Sequence, residues 1–200
     1  MDAFRININN LHIAFLTKDD PTVASFEKPE LLAGTMQIQF TPRVATAPLY
    51  GDGHMRHQEI LTDGYGITLD HNKIPPKILA RMRGQEYEGG VRRSNKADTA
   101  VYFALGYNVD LTGGHKELTW LPKCVAAPSN KNVQQRTENI NYSTDSLTVT
   151  SMALEYNGDY EYAVDTSDTE SGFTPEQVDN WFEEVPVLPP KGAETTPKTK

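Results

Sequence analysis

Apolar residues recur at every second position in stretch after stretch of this chain, and that period limits its fold most. A strand turns successive side chains to opposite faces, so a period of two marks segments buried on one side. Phe4, Ile6 and Ile8 hold one phase and Leu11, Ile13 and Phe15 the other, which places a turn or bulge at Asn9-Asn10. Met36, Ile38 and Phe40 alternate with Thr35, Gln37 and Gln39. Tyr65, Ile67 and Leu69 alternate with Gly66, Thr68 and Asp70. Leu147 and Val149 share a phase that Met152, Leu154 and Tyr156 leave, so a bulge or a change of sheet belongs near Thr150-Ser151.

Turn chemistry punctuates these runs. Asn157-Gly158 lies between LTVTSMALEY and DYEYAV and reads as a type I′ hairpin. Its second arm puts Tyr160, Tyr162 and Val164 on one face and Glu161, Ala163 and Asp165 on the other. Asp63-Gly64 reads as a second two-residue turn, pairing 56–62 with the strand that follows. Gly113-Gly114-His115 reads as a hairpin tip.

Two short helices interrupt the strands. Pro75 and Pro76 start the first, Ile78, Leu79 and Met82 form its apolar side, and Gly84 ends it. In the second, Thr174 caps, Pro175 takes the first position and Gln177 completes a capping box. Val178, Trp181 and Phe182 then form one apolar stripe. The class is therefore mainly β, an antiparallel sandwich-like or barrel-like fold with a flanking α-helix and a short C-terminal helix. One β domain over 1–185 includes a long loop at 41–62 and the helix at 174–184, and a flexible tail follows at 186–200.

Charge narrows the function. The chain has a net charge of −8, and residues 136–190 hold 12 acidic side chains against one arginine. Gripping nucleic acid needs clustered Lys and Arg, which this excess opposes. The N-terminus lacks a basic stretch followed by an apolar core, so no signal peptide is read there. No apolar run reaches the roughly 18 residues of a membrane helix. The single cysteine, Cys124, alternates with Leu118 and Trp120 and reads as half-buried packing, in keeping with a reducing cytoplasm. Asp52, His54 and His57 could mimic a metal cluster, yet histidines three apart on a strand point to opposite faces. They read as a polar loop entering a strand. No nucleophile elbow, P-loop or dinucleotide fingerprint appears.

One ordered block carries a family resemblance. NNLHIAFLTKD is followed by KPELLAGTMQIQF, then the aromatic-acidic PLYGDG, then GYGITLDHNKIPPKILARMRG, then the FALGY…LTWLPK hairpin, over residues 9–165. This order resembles the major tail proteins of long-tailed, non-contractile bacteriophages. Tyr50-Gly51-Asp52-Gly53 departs from the paired acidic motif that such proteins often carry after the aromatic. The resemblance implies a structural virion protein, not an enzyme, with no cofactor and no metal. Six copies would close into a ring, and rings would stack into the tail tube that conducts the genome during ejection. The implied partners are further copies of the chain and the tape-measure, tail-terminator and distal-tail proteins. DNA would pass without specific binding, and no membrane is engaged. The implied location is the virion tail, with assembly in the host cytoplasm.

Within that reading, Leu49 and Tyr50 in the 41–62 loop, and the Trp181-Phe182 stripe, are the candidate assembly residues. Glu155, Glu161 and Asp165 are candidates for an acidic lumen that repels the duplex. An acidic outer surface explains the same charge. Two rivals belong to other classes. One is a β-sandwich binding or decoration protein of a virion, which predicts a discrete monomer or trimer. The other is a metal-dependent hydrolase using Asp52, His54 and His57, which predicts stoichiometric metal after purification.

Overall fold

Strands dominate, as the alternation requires. The computed structural model describes residues 3–128, 145–168 and 171–191. The elements before the first helix are β1 (Arg5–Asp20), β2 (Val23–Phe26), β3 (Glu30–Leu31), β4 (Thr35–Gly51) and β5 (His54–His71). Helix α1 (Pro76–Met82) leads to β6 (Glu86–Glu88), β7 (Val91–Arg93), β8 (Phe103–Leu111) and β9 (Lys116–Ala126). After these come β10 (Asp145–Met152), β11 (Tyr162–Asp165) and α2 (Pro175–Asp179), which runs into a 3₁₀ turn at Asn180–Phe182. Neighbouring strands run β2-β1-β8-β9-β10-β5-β4, with β3 added to β1 and β11 to β9. β6 and β7 form a separate ribbon.

The fold is mainly β, built on one large antiparallel sheet with two short helices. The sheet curls on itself. Phe40 of β4 stacks on Tyr107 of β8, 5.3 Å between ring centroids, although three strands separate them in the ladder order. The inner face encloses Leu11, Ile13, Phe15, Leu69, Phe103 and Leu121, and Met82 of α1 packs among them. The slip at Asn9-Asn10 is a bulge. Asn10 has a φ of 51°, and three residues of β1 span what two of β8 span between Asn9↔Asn108 and His12↔Gly106.

The outer face has a core of its own. Ala14, Ala104, Trp120, Tyr162 and Val185 pack there, and Trp181 and Phe182 lie against them. Small residues make that layer possible. A Cβ on Gly106 would sit 2.7 Å from the Trp120 ring, so its partner position on β8 must stay empty. The capping box forms as read: Gln177 N–H donates to the Thr174 side chain and the Gln177 amide oxygen accepts from Thr174 N–H. Trp120 Nε1–H donates to the Trp181 carbonyl at 3.1 Å, tying the C-terminal turn to the sheet.

His12 stacks under Phe182 at 4.7 Å, with Nδ1 2.7 Å from the Asn10 carbonyl. Burial holds the His12 pKa below the ordinary 6.5, against the pull of that carbonyl. Below pH 6.5 the unfolded chain therefore binds more protons at this site, and stability falls as pH drops. Above 6.5 both states are neutral there and the contribution is flat. The melting temperature of His12→Phe, which keeps a stacking ring, should lose part of the decrease that the wild type shows between about pH 7.5 and 5.5. Identical decreases in the two proteins would remove His12 from the acid response.

Four expectations change. Residues 41–62 are not a loop. They continue β4 and β5 as a ribbon whose ladder runs to Gly51↔His54. The turn is Asp52-Gly53, with φ of 52° and 77°, not Asp63-Gly64. Gly64 instead lets β5 pass close to β10, since a Cβ there would lie 2.3 Å from the Ser151 carbonyl oxygen. Asn157-Gly158 does turn the chain, but β10 and β11 do not pair with each other. Both add to β9, at Val149–Met152 and Tyr162–Asp165, and the chain leaves that edge between them. No bulge interrupts β10: Thr150 is its last residue paired to β5, and the strand ends at Met152. The phase change thus marks the chain leaving the sheet.

The excursion between β10 and β11 is fastened by one carboxylate. Asp19 accepts from the backbone N–H of Glu155 and Tyr156 and from Lys123 Nζ at 2.6 Å. Asn157 continues the fastening, donating from Nδ2 to the Tyr162 hydroxyl and the Leu188 carbonyl. Of the tail at 186–200, residues 186–191 are therefore described against the body, and 192–200 lie outside the described residues.

Candidate functional site

The ribbon projects from the body as an arm. From residue 43 to 62 every described side chain is exposed, whichever face it belongs to. Opposite residues in an antiparallel pair share a face. Val44, Pro48, Tyr50, Met55 and Ile60 thus line one face, and Ala45, Ala47, Leu49, His57 and Leu61 the other. Leu49 and Tyr50, read together as one patch, point to opposite sides. Tyr50 faces with Met55, and both are more than half exposed. Pro42 and Pro48 are tolerated because β4 is the last strand of the sheet, where their nitrogens can face solvent. The same prolines leave that edge with gaps against strand addition.

The arm ends contrast chemically. At the tip, Arg56 pairs with Asp52. Arg56 is also the extra residue of a bulge, since Leu49↔His57 is followed by Tyr50↔Met55. The bulge returns His54 and His57 to one face, opposite Gly51 and Leu49, where a regular strand would split them. Among the described residues no group of three or more His, Cys, Asp or Glu side chains converges to hold a metal ion.

At the base lies a groove of about 450 Å³, lined by residues of β1, β4, β5, β8 and β9. Ile8, Ile38, Phe40, Tyr65, Tyr107 and Val109 form its apolar lining. Its rim is polar. Arg5 holds Glu117 in a bidentate pair at 2.7 and 2.9 Å, which raises the guanidinium pKa. The Tyr65 hydroxyl donates to Glu161 at 2.8 Å; burial and that carboxylate push its pKa up to about 12. Burial raises Tyr107 as well. Arg5 and Glu117 satisfy each other, as do Tyr65 and Glu161, and below them Phe40 packs on both Tyr107 and Tyr65.

The remaining candidates lie apart. Trp181 and Phe182 are half-buried on the chain's own outer face. Glu155 sits on the excursion and reaches Lys123 at 3.2 Å. Glu161 belongs to the groove rim, and Asp165 accepts from the Ser167 N–H and hydroxyl, which lowers its pKa. Glu161 and Asp165 therefore lie along one stretch and Glu155 does not join them. Cys124 is fully buried, deeper than half-buried packing, and burial raises its thiol pKa, opposite to what a nucleophile needs. No helix among the described residues is long and apolar enough to cross a membrane. Neither a protein-family model nor a curated protein matches this chain.

Proposed function

We propose that this chain is a structural subunit that polymerises with itself: the major tail protein of a long-tailed, non-contractile bacteriophage, stacking as hexameric rings into a tail tube. The arm carries the proposal. A two-stranded ribbon is at best marginally stable alone in water. This one leaves Val44, Leu49, Tyr50, Met55, Ile60 and Leu61 each more than half exposed. Apolar surface presented in this way marks a contact with another chain. The resemblance in the order of sequence blocks supplies the kind of assembly, and the tape-measure, terminator and distal-tail proteins are its further partners. The net charge of −8 suits a conduit that DNA traverses without adhering.

Sedimentation of the full chain at rising concentration should give species in multiples of six, and negative-stain images should show rings or tubes. A chain that stays monomeric at high concentration, with or without a tape-measure protein, would rule the proposal out.

A further inference from the structure

The arm joins two features that its own subunit cannot bring together. Its tip presents Tyr50 and Met55 on one face. Its base borders the open groove, which includes Phe40 and Tyr65 from the very strands that form the arm. Extended from Arg43 to Gly51, the ribbon places the tip about 30 Å from that base. A paired ribbon of this kind does not fold back over its own length, so the tip of one copy can fill only the groove of another.

We infer that the arm tip of one subunit docks in the base groove of a second copy, with Tyr50 as the anchor and Met55 beside it. This rests on the self-assembly proposed above and names its contact. The lining suits the anchor. Phe40 and Tyr65 are only half-buried, as are Ile8, Ile38 and Val109 beside them, so apolar surface remains for an aromatic ring and for a thioether, while Tyr107 lies buried under Phe40. Charge suits it as well. The groove rim carries Glu117 and Glu161 against Arg5, with Asp165 opposite Glu117 in the ladder. At the tip Arg56 and Asp52 pair with each other, which leaves the imidazoles of His54 and His57 to face the rim. An acidic rim thus meets the more basic end of the arm. Tip and groove are different surfaces of one chain, so the contact is head-to-tail. Repeated, it closes into a ring or propagates as a filament, according to the rotation between copies.

Two single-cysteine additions to the full chain test this. Gln58→Cys marks the tip on the face of Tyr50 and Met55, and Met36→Cys marks the groove wall; both positions are exposed, and Cys124 is buried out of reach. Mixed and oxidised, the two proteins should give a disulfide-linked heterodimer, while each alone stays unlinked. Adding Tyr50→Ala to the Gln58→Cys chain should lower the heterodimer yield about tenfold, as loss of an interface anchor does. If the unmodified chain polymerises but the mixture does not cross-link, or the Gln58→Cys chain links only to itself, the tip-to-groove contact is wrong and self-assembly stands. An undiminished yield with Tyr50→Ala removes Tyr50 as anchor and overturns the inference. An unmodified chain that is monomeric at every concentration removes both.

Discussion

Replacing residues 46–60 with Asn-Gly, which joins the paired residues Ala45 and Leu61 through a short turn, should leave a folded monomer that no longer polymerises. Self-association is expected to weaken at least about a hundredfold if the exposed apolar residues of the arm make the proposed contact. Folding stability should change by less than about 1 kcal/mol, since the removed ribbon buries nothing on its own subunit. The two readouts separate the explanations. Urea unfolding monitors the body, and sedimentation monitors the assembly. A shortened protein that sediments as the wild type does would show that the arm is dispensable for the contact.

The largest effect on stability should come from Asp19. Its carboxylate and the Lys123 ammonium are almost wholly buried, with side-chain exposures of 5% and 8%. Burial opposes the Lys123 charge, but the Asp19 and Glu155 carboxylates outweigh it and hold the pKa above the ordinary 10.5. A lysine raised in this way contributes its full stability below pH 10.5 and loses it only as pH rises through the folded value, so the pair holds at neutral pH. Lys123 also lies 5.1 Å above the Tyr102 ring. Asp19→Ala would leave that ammonium with the exposed Glu155 alone and would orphan the backbone N–H groups of Glu155 and Tyr156. Breaking one side of a buried pair costs about 3–5 kcal/mol. The double variant Asp19→Asn with Lys123→Met should lose less than the sum of the two single losses, because no buried charge remains. Urea unfolding measures all of these, and an Asp19→Ala protein within 1 kcal/mol of wild type would show that the node is not what holds the excursion.

The local elements were legible because their signals are short-range. The Pro75-Pro76 start of α1, the Thr174–Gln177 capping box and the bulge at Asn9-Asn10 each need only residues a few positions apart. The Trp181-Phe182 stripe was legible as apolar spacing, although nothing near it in sequence names Trp120 as its partner. In sequence the arm reads as a long insertion between two strands, and Pro42 and Pro48 fit a strand only where it lies at a sheet edge. Whether β4 is an edge depends on the order of strands that lie far apart along the chain. Likewise Asp52-Gly53 and Asp63-Gly64 are the same dipeptide. Only the approach of Ser151 to Gly64 decides which one makes the turn and which one makes room.

The sequence by itself determined a mainly β chain, the phases of its strands, its two proline-started helices and an acidic C-terminal half. Each follows from the side-chain period or from backbone chemistry within a single element. The tertiary structure alone decided that β4 and β5 run on into a free arm, that the curled sheet leaves an apolar groove at its base, and that Asp19 reaches Lys123 and Glu155 across 104 and 136 positions. Those contacts depend on which distant strands become neighbours, and no local pattern of residues encodes that choice.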